Sequence, residues 1–403
     1  MKKESLSVGR PAHLRHTNAL TILKLLREAG TCSRADLVRA SGLSAPTITN
    51  VVNDLISAKL VSPLGEGASS GGRPPDMLAF NAERGCLIGV QLSAHQMSFL
   101  MTDLMGKQLD TATVSLVDQK TTPEAICQLI GVQVRTLLRK HKMAREQLLA
   151  LVAAMPAIVN VDEGIVVAIS TLQGWRKVRF HALMRKVVDC HVIVENDTNL
   201  AALGEQHRGA AVFHESFVLV QIDANVSAGI VLGGRIHHGA QWAAGEIGYL
   251  RLPHVARKFP ALHEFGELEQ VLTNRAIVEG FRECKEAIAA GSAAKEVMDA
   301  QRVFELAHAG DACAKKVVQS RAALVGDILV NLSLILNPGL ILVGGAVGSH
   351  PEMLSLVQQH LQRAEFAVPE IAPATLGDAA VLWGAISMAL EALPGILLPQ
   401  PQG

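Results

Sequence analysis

Between Ser33 and Leu55 the chain carries two helix starts separated by a glycine turn, an order that few folds accommodate. Ser33-Arg34-Ala35-Asp36 resembles a capping box, in which the hydroxyl and the acidic side chain satisfy each other's backbone N–H groups. The short helix it opens carries Leu37 and Val38 and stops at Ser41-Gly42. Ser44-Ala45-Pro46 then starts another helix. Serine is a strong N-cap, and proline is tolerated in a first turn, where N–H groups lack helical partners. Ile48, Val51, Val52 and Leu55 form its buried stripe, which leaves Thr47, Thr49, Asn50 and Asn53 on the polar side. Ahead of both, Thr17 to Ala29 reads as a helix with Leu20, Leu23 and Leu26 inward, ended by Gly30.

Three helices in this order, with a tight turn before a polar-faced third, make a helix-turn-helix. Short donors and acceptors suit the reading of base edges: asparagine pairs bidentately with adenine, and threonine bonds a base or touches a thymine methyl. Ser44, Thr47, Thr49, Asn50 and Asn53 are therefore the expected base- and backbone-contacting set. After them, Leu60-Val61 and Met77 to Phe80 read as strands of a hairpin wing, joined by the glycine-rich loop Gly65 to Pro75. Arg73 in that loop is the expected minor-groove probe. The competing reading, a helical cap with a solvated polar face, explains neither this loop nor the charge. Residues 1–80 hold ten Lys/Arg against six Asp/Glu, while the chain as a whole is neutral. A basic head on an acidic body fits a chain whose head alone meets phosphate.

From about residue 86 the pattern is α/β. Cys86 to Gln91 and Met97 to Thr102 predict paired strands, followed by a helix over 123–142, strands at Leu149 to Met155 and Val192 to Glu195, and a helix over 198–208. Phe217 to Gln221 and Ala228 to Leu232 predict a second hairpin. Helices over about 272–289, 293–308 and 311–336 follow, then a strand at Leu340 to Val343 and helices over 350–363 and 379–392. Strand pairs followed by helices, occurring twice, predict two similar lobes with a cleft between them. The six cysteines are scattered without a CxxC, a pattern of reduced thiols rather than disulfides or a zinc cage. No uninterrupted apolar run reaches the ~18–20 residues of a bilayer span, and the N-terminus has no signal-peptide pattern, so a cytoplasmic protein with no membrane partner is expected.

Several motifs together resemble the ROK family of bacterial sugar-responsive repressors and sugar kinases. They are Gly71-Gly72-Arg73-Pro74, Gly174-Trp175, Glu195-Asn196-Asp197-Thr198-Asn199, Ala244-Gly245-Glu246-Ile247-Gly248, and Asn337-Pro338-Gly339 leading to Val343-Gly344-Gly345-Ala346. The resemblance covers nearly the whole chain, and the DNA-binding head places it with the repressor branch. It implies a winged helix-turn-helix over 1–82 and, over 83–403, a two-lobed actin-like ATPase body of sugar-kinase type that binds an effector and assembles as a homodimer or homotetramer. It further implies that Thr171, Asn196, Asp197, Glu246, Tyr249 and Glu269 line an effector site for a sugar or sugar phosphate.

Departures from the family pattern are specific. The first phosphate loop, roughly D-x-G-G-T, here reads Gln91-Leu92-Ser93-Ala94-His95, and the second, G-T-G-x-G-x-G, reads Asp223-Ala224-Asn225-Val226-Ser227-Ala228-Gly229. Side chains stand where family backbone approaches phosphate, and Asp223 adds a like charge. Asp197 is then a lapsed catalytic base, and no enzyme activity and no cofactor are expected. Tyr249 stands where the family has a zinc-binding histidine, and Pro260, Leu262 and Glu267 stand where it has cysteines, so no metal is expected; an improvised site at His254, His263 and Glu267 is the lesser alternative, since histidines in a loop are more often solvated. The expected function is a regulator binding a double-stranded DNA operator, repressing carbohydrate uptake and catabolism genes. The alternatives are a sugar kinase with a regulatory head and a regulator controlled by a partner protein.

Overall fold

A computed structural model describes residues 11–66, 76–169, 172, 174–252, 266–287, 299–363 and 368–400. In the head, α1 (Pro11–Ala29) is followed by β1 (Thr31–Ser33), α2 (Arg34–Ser41) and α3 (Ala45–Ser57), then β2 (Val61–Glu66) and β3 (Asp76–Phe80). Gly30 ends α1 at φ 71°, and the Ser33–Asp36 capping box is present, with the Ser33 N–H donating to Asp36 Oδ2 at 2.8 Å. The strands form one sheet in the order β1-β3-β2. The first of these was not foreseen, because three residues between a glycine and a cap carry no periodicity.

Among the described residues the body contains two five-stranded mixed sheets of the same connectivity. In the first, β4 (Cys86–Leu92), β5 (Gln96–Asp103) and β6 (Gln108–Ser115) run antiparallel, and β7 (Leu148–Met155) and β11 (His191–Asn196) continue in parallel beyond β4. Between β7 and β11 lies a small sheet of β8 (Ile158–Asn160), β9 (Ile165–Ala168) and β10 (Arg176–Val178). In the second, β12 (Phe217–Ile222), β13 (Val226–Leu232) and β14 (Arg235–Ile236) are antiparallel, and β15 (Leu340–Gly344) and β16 (Glu370–Pro373) extend β12 in parallel. The predicted doubling is therefore real, although β6, β8 to β10, β14 and β16 were missed. The third strand β6 alternates exposed and half-buried residues, so it lacks the apolar run that marked its neighbours.

Helices α4 (Pro123–Lys140) and α5 (Phe180–Met184) belong to the first lobe. The second lobe holds α7 (Glu269–Leu272), α8 (Asn274–Ala287), α9 (Ala300–His308), α10 (Ala312–Leu336), α11 (Gly345–Gly348) and α12 (Pro351–Leu361). Two helices exchange between lobes. After the first sheet, α6 (Asp197–Arg208) packs on β12 and β13 of the second, while α13 (Ala380–Leu397), last in the chain, packs on β4, β5 and β7 of the first. They cross each other closely: a Cβ on Gly384 would lie 1.7 Å from the Leu200 carbonyl oxygen, and one on Gly204 would lie 2.0 Å from that of Ala380. Segments Ala312–Leu336 and Gly377–Leu397 have the length and hydropathy of membrane spans, but both bury residues in these cores.

One cysteine expectation is corrected. Cys284 and Cys313 form a disulfide, with Cα atoms 5.7 Å apart. Their separation of 29 residues gave no signal, yet α8 and α10 bring the end of one helix to the start of the other, where Lys285 Nζ also meets Asp311 Oδ2 at 2.5 Å. Cys32, Cys86, Cys127 and Cys190 are free.

Candidate functional site

The recognition helix is built as its sequence requires. Ser44 caps α3, its hydroxyl accepting from the Thr47 N–H at 3.4 Å and lying 2.8 Å from Thr47 Oγ1. Ile48, Val51, Val52 and Leu55 are buried, whereas Thr49, Asn50 and Asn53 are exposed and Thr47 is half-buried. Thr49 Oγ1 bonds the Ala45 carbonyl and Asn53 Oδ1 accepts from Arg34 at 3.3 Å, so Asn50 has the least committed polar end of the group. Arg73 and the tip of the wing lie outside the described residues, while the wing's two arms pair antiparallel from Val61 opposite Phe80.

The body's cleft, with a volume of about 310 Å³, gathers Asn196, Asp197, Glu246, Tyr249 and Glu269 in one place. Thr171 lies outside the described residues, as do His254 and His263. Asn196 is the N-cap of α6: its Oδ1 accepts from the Asn199 N–H at 3.0 Å, and its Nδ2 donates to the Ala157 carbonyl at 3.0 Å. Asp197, the first residue of α6, is pushed up to about 6 by burial, against the hydrogen bonds from Thr198. Glu246 is pushed up to about 7, first by burial and then by the charges of Glu269 and Asp197. Glu269 is also raised by burial, although its two oxygens accept from the backbone of Val226 at 3.3 Å and of Gly266 at 2.7 Å.

Glu246 owes its place to Gly245. That residue has φ 90°, a conformation that side chains disfavour, and a Cβ there would lie 1.9 Å from the Ala228 carbonyl. The glycine lets the loop seat against β13, with the Ala228 N–H donating to its carbonyl at 2.7 Å.

Some residues that support or line the site were not foreseen. Buried Glu195 accepts from the Asn196 N–H at 2.7 Å and Asn199 Nδ2 at 3.0 Å, and its other oxygen lies 2.7 Å from His238 Nε2. That contact raises the His238 pKa. Thr198 and Ser227 hydroxyls meet at 2.7 Å, tying α6 to β13. Glu195 was visible inside the Glu-Asn-Asp motif, but His238, 43 residues away, had no local signal.

Also lining the cleft, the turn after β4 is closed by the Ser93 N–H donating to the Gln96 carbonyl at 2.9 Å. In the turn after β12 the Asp223 N–H donates to the Asn225 carbonyl at 3.0 Å. Burial, with the charge of Asp378, raises the Asp223 pKa. Among the described residues there is no cluster of three or more His, Cys, Asp or Glu side chains fit to hold a metal ion.

Residues 87–392 match the model of the ROK family. The chain belongs to the ROK family. Residues 15–62 match a winged helix-turn-helix DNA-binding family, so this ROK protein carries a DNA-binding head on an actin-like kinase fold. It is 23% identical over 391 residues to the xylose repressor of Bacillus spizizenii, covering 96% of this chain and 98% of that one. It is 32% identical over 260 residues to the glucokinase of Halalkalibacterium halodurans, covering 61% of this chain and 78% of that enzyme. A solved ROK family transcriptional regulator, described as a homologue of the Escherichia coli Mlc protein, superposes with a TM-score of 0.78 at 24% identity, covering 96% and 98% of the two chains. The buried Trp175, whose Nε1 donates to the Thr121 carbonyl at 2.7 Å, shows that the family's Gly-Trp motif serves packing here.

Proposed function

We propose that this protein is a transcriptional repressor of carbohydrate genes, whose head binds a double-stranded DNA operator and whose cleft binds a sugar or sugar derivative. The observation that carries the reading is the capped α3 with its exposed Thr49, Asn50 and Asn53, joined to a ROK body. Ser44 and Thr47 fix the start of that helix, and Arg73 is assigned to the wing. The expected head of 1–82 and body of 83–403 fit a sheet that ends at Phe80 and a first body strand that begins at Cys86.

The cleft suits hydroxyl recognition. Carboxylates at Asp197, Glu246 and Glu269 accept from vicinal hydroxyls, and Tyr249 supplies an aromatic wall with a polar tip. Thr171 is kept as a further contact. Three carboxylates in one cleft disfavour a phosphate there, so an unphosphorylated sugar is the better effector. An effector changes operator affinity only by binding one arrangement of head and body better than the other. A palindromic operator calls for a homodimer or homotetramer, and operator binding places the protein in the cytoplasm.

Phosphoryl transfer is the second reading, favoured by an Asp197 that titrates near 6 at the cleft floor. Against it, the Asp223 carboxylate at the cleft adds a charge of the same sign as a phosphate and repels the anion. The test uses full-length protein. Cyclic selection from a random duplex pool is expected to yield a palindromic site, and a thermal-shift panel to yield a stabilising sugar that changes its affinity. A pool without enrichment refutes the regulator, and sugar-dependent ADP release abolished by Asp197→Ala establishes the kinase.

A further inference from the structure

On the first lobe, a pocket of 260 Å³ shares no lining residue with the cleft. Arg135, on α4, and Arg145, Arg185 and Lys186, on the segments around it, surround this pocket; Asp189 is its one acidic lining residue. Among the described residues none of these four cations forms an ion pair, whereas nearby Lys140 is paired with Asp110 at 2.7 Å. The floor is apolar, from Val134, Leu138 and Val187. Gly131 makes that floor possible, since a Cβ there would lie 2.5 Å from Val187 Cγ1 and 3.3 Å from Arg135 Nη1.

Cations at the end of α5 would stabilise that helix's dipole, which accounts for Arg185 and Lys186. It does not account for Arg135, more than a turn inside α4, or for Arg145 on the next segment. Like charges repel, so unpaired guanidinium and ammonium groups facing one pocket destabilise the empty protein and favour an anion. Outside the head, acidic residues outnumber basic ones, which makes this pocket a local exception.

We infer that this pocket binds a small phosphomonoester with an apolar body: the phosphate lies among Arg135, Arg145 and Arg185, and the apolar part lies on Val134 and Leu138. Guanidinium forks match phosphate oxygens. A lone carboxylate would leave most of the positive charge uncompensated, so the dianion fits better.

Phenyl phosphate titrated calorimetrically into the full-length protein at low salt tests the inference, with inorganic phosphate, phenol and benzoate as the other arms. Phenyl phosphate is expected to bind at least about tenfold tighter than any of the three, and to weaken with salt. The double variant Arg135→Gln/Arg185→Gln is expected to lose about tenfold in affinity without any loss of stability, because both side chains reach solvent and their removal relieves the like-charge repulsion. Equal affinity for inorganic phosphate, benzoate binding as tightly, no binding at millimolar concentration, or undiminished binding by the double variant each overturns it. Sugar binding in the carboxylate cleft is read separately, so this outcome is independent of the proposed function.

Discussion

Replacing Glu246 by Gln should stabilise the unliganded protein while weakening its cleft. The carboxyl is raised from an ordinary 4.5 to about 7 by burial and by the charges of Glu269 and Asp197. A folded state that holds its proton more tightly than the unfolded chain loses stability as pH rises from the unfolded pKa through the folded one. The penalty is absent below about pH 4.5 and complete above about pH 7. At ~1.4 kcal/mol per pKa unit it reaches about 3 kcal/mol, reduced to ~1–3 because the cleft admits water. Glu246→Gln carries no charge and escapes it. Urea unfolding of both proteins at pH 5, 6, 7 and 8 should give curves that coincide at low pH and diverge upward for the variant. A variant that is no more stable at pH 8, or whose advantage is flat with pH, refutes the reasoning. The same charge serves the ligand: sugar hydroxyls donating to Glu246 favour its carboxylate, so binding near pH 7 should release protons. Calorimetry in two buffers of different ionisation heat reads that release, and it should fall sharply in the variant, leaving only the share of Asp197 and Glu269.

Three further outcomes are expected. Asn50→Ala should weaken binding to the selected operator about tenfold and leave non-specific DNA binding and stability nearly unchanged, since Asn50 is exposed, as fluorescence anisotropy and thermal unfolding would show. Glu205→Ala should cost at least ~3 kcal/mol by urea unfolding, because this fully buried carboxylate accepts from the N–H groups of Ala210, Thr375 and Leu376, each at 2.8 Å; a cost under ~1 kcal/mol would contradict it. Gly384→Ala should cost about 3 kcal/mol as well, since its Cβ meets the Leu200 backbone oxygen, which cannot move without parting α6 from α13; an unchanged midpoint would show that the helices already tolerate a wider crossing.

The head was legible because its signals are local. Caps at Ser33 and Ser44, the turn at Gly42 and the stripe from Ile48 to Leu55 each act within a few residues, and all stand where they were expected. In the body, apolar strands such as Leu148–Met155 announced themselves, whereas Gln108–Ser115 and Glu370–Pro373 did not, being edge strands whose partners supply the pattern. The cleft was legible through motifs that resemble a family, not through chemistry: nothing near Glu195 or Glu205 in sequence announces the His238 ring or the Thr375 and Leu376 amides that meet them. The Cys284–Cys313 bridge was hidden for the same reason, since only the packing of α8 on α10 brings the pair together.

Those long-range contacts also give a physical route from cleft to head. Asp197 lies in the cleft as the first residue of α6, α6 crosses α13 at a glycine contact too close to slide freely, and α13 reaches the head through Leu390, whose carbonyl accepts from Arg27 of α1 at 3.3 Å. Burial lowers the Arg27 pKa, and its Nε has no hydrogen-bond partner among the described residues. An unpaired buried donor costs roughly 1–3 kcal/mol, an energy recovered in any arrangement that lets water reach it. The head shares a buried apolar core with α13, and this unpaired donor lies at that junction. A ligand at the N-terminus of α6 shifts the balance between two head positions only as far as its affinities for them differ.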